Sequence, residues 1–206
     1  VSILPGLTAP VDLSRQSPAM QAVRRAGDRK SQAARSAAGE PARGRLVVGI
    51  LRENTATPDL DQLYPVGIVC EVVQVLPGTP GRMSVVLRGI GRVRLLDLYS
   101  ERDHLVVRFE TAVDTMRTST LAYAYAGALQ DLIKQHDTLL PTAAKTKQRA
   151  QGLAAILAER SPGMIADLCA AHLDLGDDDK LPILLETEVS DRLRKVTELA
   201  SHRTNV

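Results

Sequence analysis

The sequence predicts an α+β fold, in which a compact, strongly bent β-sheet or pseudo-barrel with one helix precedes an α-helical bundle. Three observations lead to this prediction. Between residues 63 and 98, three β-rich runs follow one another with almost no loop between them. After residue 113, apolar residues recur at three- and four-residue spacing, which is typical of amphipathic helices. With 206 residues, of which 44% are hydrophobic, the chain is long enough to bury a sizeable core.

The first predicted elements are a strand over residues 7–13 and a helix that ends at about residue 26. Ser17 is placed as the N-cap of this helix, and Pro18 follows at the first helical position, where a missing N–H does little harm. A continuous apolar run over residues 46–51 has the length of a strand, and a polar loop follows it.

A meander and an edge strand complete the β-rich half, with strands predicted over residues 67–76, 83–88, 92–99 and 105–109. The chain contains no Trp and only one Phe, so the core of this half must be aliphatic.

Two glycines mark the junction of the last two meander strands. Gly89 and Gly91 flank Ile90, and glycine inside a strand pattern indicates a bulge or a sharp bend because it tolerates positive φ. Such a bend would let a small sheet curl over its own core. Arg92 and Arg94 alternate onto one face of the following strand, which we expect to be in contact with water.

The second half predicts several short antiparallel helices. The first has one apolar stripe, formed by Leu121, Tyr125, Ala128, Leu129, Leu132, Ile133 and His136. Pro141 breaks this pattern, and a second helix is predicted over residues 143–158.

Three further helices are predicted after residue 160. Ser161 and Pro162 repeat the cap-then-proline start, before an apolar face made of Met164, Ile165, Leu168, Cys169 and Leu173. Gly176 ends that helix, and Asp177 to Asp179 begin the next, with Pro182 predicted in its first turn. The last helix starts at about Glu188 and has Val189, Leu193, Val196 and Leu199 on one side.

A set of residues in the β-rich block follows a recognisable order: Leu63, Tyr64, Val66, Gly67, Val69, Gly81, Val85, Leu87, Gly89, Arg92 and Arg94. Upstream stands Leu4-Pro5-Gly6 followed by Ala9-Pro10-Val11, and downstream stand residues 161–168, residues 184–187 and Asp191-Arg192-Leu193. In this order and spacing the chain resembles the N-terminal, substrate-binding domain of the Lon ATP-dependent protease family, with Leu4 in place of the usual Phe. The resemblance covers most of the chain.

The resemblance implies a β-rich subdomain over residues 1–112, with a basic flexible insertion at about 27–45. It also implies a helical bundle subdomain over 113–206 that leads toward an AAA+ module outside this chain. The implied role is substrate recognition in a Lon-type ATP-dependent serine protease, by binding unfolded or degron-bearing proteins and aiding hexamer assembly. ATP and Mg are implied only for the missing ATPase module, and the catalytic Ser-Lys dyad also lies outside these residues. A free-standing Lon-N-like adaptor with its own partner remains an alternative.

Client contact requires exposed apolar side chains, so we expect it at the predicted turns. The candidates are Leu4, Pro5 and Leu7 in the opening turn and Leu76, Pro77, Pro80 and Met83 around the hairpin loop. An alternative is that Leu4, Leu7 and Met83 simply close the ends of the barrel. Structural roles are predicted for Tyr64, Pro65, Gly67, Gly89 and Gly91.

Positive charge is concentrated in one segment, although the chain as a whole is almost balanced at 26 basic and 24 acidic residues. Residues 24–45 include seven basic side chains against Asp28 and Glu40, and they have few large apolar residues. This composition predicts a solvated, mobile loop. Weak, non-specific and salt-sensitive contact with nucleic acid is an alternative, although the segment lacks aromatic residues for base stacking.

Motifs for catalysis or metal binding are absent from the sequence. It has no Gly-x-x-x-x-Gly-Lys-(Ser/Thr) phosphate loop and no His-Glu-x-x-His pair, so we expect no enzyme activity from these residues. The four histidines show no ligand spacing, and Asp177 to Asp179 are interpreted as a helix start, so no metal site is expected. Cys70 and Cys169 are predicted to be buried, reduced thiols. No membrane span or secretory signal is recognised, and a cytoplasmic location is expected.

Overall fold

The computed structural model describes residues 3–33, 44–53, 58–101, 104–135, 146–173 and 175–204. The chain divides into two compact units. The sheet unit is Thr8–Ala112, and the helical unit is Val113–Val206 together with Ser2–Leu7. Within the described residues, one antiparallel sheet and six helices confirm the predicted α+β class.

The sheet unit contains five strands, one helix and a short 3₁₀ turn. In chain order these are β1 (Thr8–Ser14), α1 (Pro18–Ala33), β2 (Arg45–Val48), the 3₁₀ turn Leu60–Gln62, β3 (Val66–Pro77), β4 (Arg82–Glu101) and β5 (His104–Thr111). All strand pairs are antiparallel, in the order β1-β4-β3-β2, and β5 also pairs with β4.

The 20-residue strand β4 organises the sheet. β3 occupies one edge of β4, and β1 and β5 share the other edge one after the other, opposite residues 82–88 and 93–101. The meander strands predicted over residues 83–88 and 92–99 are therefore a single strand, and the prediction of two was wrong. β4 continues because neighbouring strands pair with it both before and after the two glycines. The glycines therefore do not end the strand.

The predicted irregularity at the glycines is present as a bulge within β4. Val69 pairs with Gly91 and Cys70 pairs with Gly89, so Ile90 has no counterpart on β3. Positive φ is not the reason for glycine here, because Gly6 and Gly81 are the glycines with positive φ in the described residues. The extra residue alone shifts the register.

Gly67, at the start of β3, is required by a close approach of the backbone. A Cβ at this position would lie 2.9 Å from the Val48 carbonyl oxygen of β2 and 3.2 Å from Cδ2 of Leu95. The preceding residues are also fixed: the Tyr64 N–H donates to the Ile50 carbonyl (2.9 Å), and the Pro65 carbonyl accepts from the Leu95 N–H (2.9 Å).

The core of the sheet unit is aliphatic, as predicted from the composition. One cluster consists of Leu63, Val93 and Leu95, with partly buried Val47, Leu51, Leu60, Val69, Leu98 and Val107 around it. The prediction of a wetted arginine face was wrong for Arg92, which is only 6% exposed. Arg94 is exposed, with an ion pair to Glu110. No register shift separates Arg92, opposite Ile68, from Arg94, opposite Val66 at the start of β3, so the two positions share one face and differ only in what surrounds them.

Helix α1 is longer than predicted. Ser17 caps it as expected, since its Oγ accepts from the Met20 N–H (3.2 Å). The helix then continues to Ala33, into the segment predicted to be a loop. Its Ala, Arg, Lys and Gln residues have high helix propensity, which outweighs the single Gly27. The basic residues of the predicted insertion between 34 and 43 lie outside the described residues.

The helical unit contains five helices: α2 (Thr120–Gln135), α3 (Thr146–Ala158), α4 (Pro162–His172), α5 (Asp177–Leu185) and α6 (Val189–Thr204). The buried stripe of α2 is Ala122, Ala126, Leu129 and Ile133, so the predicted stripe was displaced by about one residue. Leu121 is 55% exposed. The displacement arose because most of α2 is apolar, and periodicity alone could not select the buried side. Predicted His136 lies outside the described residues.

The later helices begin where predicted but are capped differently. Ser161 occupies the N-cap of α4 without a side-chain hydrogen bond. Instead, Oε1 of Glu159 accepts from the N–H groups of Arg160 and Ser161, both at 2.8 Å. Glu188 caps α6 by accepting from the Ser190 and Asp191 N–H groups. Pro182 lies inside α5 and not in its first turn, because α5 begins at Asp177.

Candidate protein-binding surface

The hairpin between β3 and β4 presents the largest continuous exposed run of the sheet unit's described residues. Every residue from 73 to 82 is exposed. Val73 is 43% exposed, and Val75 and Leu76 are each 39% exposed. Predicted contact residues Pro77 and Pro80 are exposed in the same run, and Met83 is half-buried. We call Val73, Val75, Leu76, Pro77, Pro80 and Met83 the hairpin patch.

The hairpin patch is held by regular pairing. Val75 lies opposite Val85, and Pro77 lies opposite Met83, so β3 and β4 remain paired to the turn. Gly81 has a φ of 81°, and the Arg82 N–H donates to the Thr79 carbonyl (2.8 Å), which closes the turn. The apolar side chains are therefore displayed on a paired ribbon.

The opening turn does not supply the expected exposed contacts. Leu4 is fully buried and Pro5 is buried, while Leu7 is half-buried. Gly6, with a φ of 81°, turns the chain so closely past Leu168 that a Cβ there would lie 2.8 Å from its Cδ2. Leu4 and Pro5 are therefore removed from the candidate surface, because the turn packs inward within the helical unit.

A second set of exposed apolar side chains, which was not predicted from the sequence, lies in the helical unit. It comprises Val113 (64% exposed), Met116 (62%), Leu121 (55%) and Tyr123 (53%). Met116 has a φ of 53°, a left-handed conformation that is uncommon for a side chain other than Gly, Asn or Asp. The signal was in the sequence: α2 has no charged residue before Asp131, yet a surface helix normally has a polar face.

The helical unit is held together at Asp114 by a buried arginine. The side chain of Arg192 is 0% exposed, and its Nη1 and Nη2 donate to Oδ1 (2.9 Å) and Oδ2 (2.6 Å) of Asp114. Its Nη1 also donates to the Glu186 carbonyl, and its Nε lies 3.5 Å from Oδ1 of Asp167. Burial alone would lower the pKa of Arg192, but the Asp114 hydrogen bonds and the neighbouring carboxylates raise it.

The side-chain chemistry of the described residues offers no reactive centre. Burial raises the pKa of both the Cys70 and Cys169 thiols to about 12, which keeps them protonated and unreactive near neutral pH. Within the described ranges, no group of three or more His, Cys, Asp or Glu residues is arranged to hold a metal ion. None of the helices in this part of the chain is long and apolar enough to cross a membrane.

Comparison with known proteins identifies the family. The sequence model for the "ATP-dependent protease La (LON) substrate-binding domain" matches residues 1–202. The chain belongs to this Lon substrate-binding domain family. Among curated relatives, Lon protease of Anaeromyxobacter dehalogenans is 27% identical over 168 residues, which is 80% of this chain and 19% of the relative. Lon protease 2 of Sorangium cellulosum is 29% identical over 173 residues, which is 80% of this chain and 20% of the relative.

Solved structures agree with this family at the level of the fold. The N-terminal domain of the Mycobacterium avium complex Lon protease superposes with a TM-score of 0.69 and 19% identity, covering 97% of this chain and 92% of that one. The Lon N-terminal domain protein of Xanthomonas campestris gives a TM-score of 0.52 and 16% identity, covering 95% and 91%.

The chain spans about a fifth of the length of the curated relatives it matches. The part matched is the substrate-binding domain, so these 206 residues do not contain the protease module of a Lon enzyme. The expected Lon resemblance is confirmed.

Proposed function

We propose that this chain is the substrate-recognition domain of a Lon-type ATP-dependent protease and that it holds unfolded protein clients on the hairpin patch. The exposure of Val73, Val75 and Leu76 is the observation that supports this proposal most strongly. Residues 72–81 contain no charged side chain, so no charge interrupts this run of the hairpin. Unfolded proteins expose apolar residues that folded proteins bury, and an exposed apolar patch distinguishes the two forms.

The composition of the patch suits varied clients. Pro77 and Pro80 have fixed φ angles, which limits the entropy lost when a client is bound. Met83 is unbranched and polarizable, so its half-buried side chain can adapt to clients of different shape. Together these residues combine a fixed frame with an adaptable contact.

The proposal is tested by titrating the chain with one client in two forms, a stable folded protein and a destabilised variant of the same protein. We expect binding of the destabilised form only, measured by fluorescence anisotropy. Equal binding of both forms would contradict the proposal.

A matched pair of variants locates the contact. Leu76→Asp in the patch should weaken client binding about tenfold, which corresponds to the loss of about 1.4 kcal/mol of apolar contact. Leu105→Asp on β5 is the control, because Leu105 is 40% exposed and Leu76 is 39% exposed. Equal losses in both variants would place the contact elsewhere.

Recognition of degron-bearing proteins, assembly into a hexamer, coupling to an AAA+ motor and a cytoplasmic location belong to the same proposal for the whole protein. The family membership supports them. The gene sequence downstream of Val206 distinguishes this proposal from the alternative of a free-standing adaptor. A phosphate-loop motif encoded there would establish the protease, and its absence there would favour the adaptor.

A further inference from the structure

The outer edge of β3 is only partly covered by β2. The two strands pair from Val48 opposite Ile68 to Arg45 opposite Glu71. A last hydrogen bond joins the Val72 N–H to the Gly44 carbonyl (2.9 Å). β3 then continues to Pro77 with β4 on its inner edge. In the described part of the chain, no strand pairs with its outer edge from Val73 onward.

The protection that sheet edges usually have is confined to the two ends of this open edge. Proteins commonly block an edge with a charged side chain, a proline or a bulge. Here the register shift lies between Val72 and Gln74, and the proline is the last residue of the strand, Pro77. Gln74, Val75 and Leu76 between them are exposed, uncharged and of a type that favours extended pairing. The edge can therefore accept another strand.

The charge beside the edge selects the kind of strand. Arg15 and Arg82 are both exposed at the hairpin end, where the Arg15 N–H donates to the Gly81 carbonyl (3.0 Å) and Arg82 lies opposite Ser14. No ion pair joins either arginine to a carboxylate in the described residues, whereas Arg88 is paired with Glu71. Both arginines lie at the hairpin end of the sheet, Arg82 on β4 beside β3 and Arg15 directly after β1, and their positive charge attracts a segment with carboxylates at that end.

We propose that the outer edge of β3 binds an extended apolar segment of a protein client by adding it as an antiparallel strand, with acidic residues at the segment's N-terminal end. An antiparallel strand begins at the hairpin turn, which places those carboxylates nearest Arg15 and Arg82. Backbone hydrogen bonds would supply affinity that depends little on client sequence, and the Val75 and Leu76 region would supply apolar contact. This inference rests on the proposed client-binding function and specifies its mode.

Synthetic peptides test the pairing directly. The probe is Asp-Asp-Val-Thr-Val-Gln-Val, and its control is the same peptide N-methylated at alternate residues, which removes the pairing N–H groups and leaves the side chains unchanged. We expect the probe to slow hydrogen exchange at those amides among residues 73–76 that do not bond to β4. We expect the N-methylated peptide to bind at least tenfold more weakly.

Charge is tested separately. A peptide with Lys-Lys in place of Asp-Asp should bind more weakly, and the difference should shrink as salt is raised. Arg82→Glu should reduce binding of the acidic probe, while Arg108→Glu, at an exposed position of β5, should not.

Three other outcomes would each overturn either strand addition or the proposed function. Equal binding of the N-methylated peptide would overturn strand addition while leaving side-chain recognition by the hairpin patch intact. Protection, before any peptide is added, of an amide among residues 73–76 that does not bond to β4 would show that the edge is occupied by the chain itself or by a second copy, and would also overturn it. Failure of destabilised proteins to bind at all would overturn the proposed function itself.

Discussion

Arg192 shows how a single residue can organise the helical unit. Its guanidinium is fully buried, yet its two terminal nitrogens meet both carboxylate oxygens of Asp114, and Asp167 lies beside its Nε. A buried charge is tolerated only when it is paired in this way. Gly163 makes room for the pair, because a Cβ there would lie 2.5 Å from Oδ2 of Asp114 and 2.6 Å from Nη2 of Arg192. Thr115, next in the chain, is fixed to Thr187 by a backbone hydrogen bond (2.9 Å).

His172 makes stability sensitive to mild acid. Its ring packs against α3, where a Cβ on Gly152 would lie 2.6 Å from Nδ1. Burial lowers its pKa below the ordinary 6.5. The unfolded chain therefore binds a proton more readily than the folded chain. The contribution of neutral His172 to the free energy of unfolding is therefore complete above pH 6.5. It is lost as the pH falls from there toward the folded-state pKa.

We expect the urea midpoint of the protein to fall between pH 7.5 and pH 5.5 and to fall less in His172→Gln. His202→Gln, at an exposed position of α6, is the control and should behave like the unchanged protein. The carboxyl of Glu186 does not contribute to the change in stability between pH 7.5 and pH 5.5. Burial raises its pKa, but Lys195 and the Glu188 N–H lower it further, so it stays ionised. An unchanged pH profile in His172→Gln would show that another group is responsible.

At the scale of elements, β3 and β4 depend on two glycines in different ways. Gly67 lies where β2 and the Leu95 side chain approach the β3 backbone, whereas a Cβ on Gly91 would meet no heavy atom within 4 Å. The sequence predicted a structural role for both, and for Gly91 the reason was its position inside a strand pattern. Only the three-dimensional neighbourhood shows which position has no room for a side chain.

Gly67→Ala should lower the free energy of unfolding by about 1–3 kcal/mol, because β2 or Leu95 must move to admit the methyl group. Gly91→Ala is the matched control, and its free energy of unfolding should stay the same or rise by up to about 1 kcal/mol. Chemical denaturation measures both. Equal destabilisation of the two variants would mean that strand propensity, and not close approach, explains Gly67.

The local sequence pattern predicted that these strands and helices exist. It did not predict where a strand continues or which side of a helix is buried. The residues around Ile90 looked like a break, yet pairing with β1, β3 and β5 keeps β4 a single strand. The apolar face of α2 was displaced for the opposite reason, since nearly every residue before Asp131 was apolar and the pattern had no polar side to exclude. In both cases the deciding information was the partner element.

At the scale of the whole molecule, the opening residues belong with the helices and not with the strand that follows them. Residues 3–7 fall in the helical unit, with Ile3 3% exposed and Leu4 fully buried. Leu76, Pro77, Pro80 and Met83 of the hairpin patch were proposed from the sequence because turn chemistry and apolar residues coincide there, whereas Val73 and Val75, in the preceding strand, were not. The burial of the opening turn could not be predicted, because Gly6 in that turn packs against Leu168, which is more than 160 residues later in the chain.

Leu4→Ala should therefore destabilise the helical unit by about 2–5 kcal/mol, the usual cost of a cavity left by a buried leucine. Hydrogen exchange followed by mass spectrometry should show faster exchange first in residues 113–204. Leu76→Ala, at an exposed position, should change stability by less than about 0.5 kcal/mol. If Leu4→Ala impaired client binding and left stability unchanged, Leu4 would be a contact residue after all.

The division of the chain also has a consequence for vectorial synthesis. Residues 3–7 are translated before the sheet unit, but the helices they pack against are translated only after the 105 residues of Thr8–Ala112. Closing a loop of that length costs on the order of 4 kcal/mol of chain entropy if the intervening residues are unstructured. A sheet unit that folds during translation would shorten this loop, and until α4 emerges the apolar Ile3 and Leu4 would be available to nascent-chain chaperones.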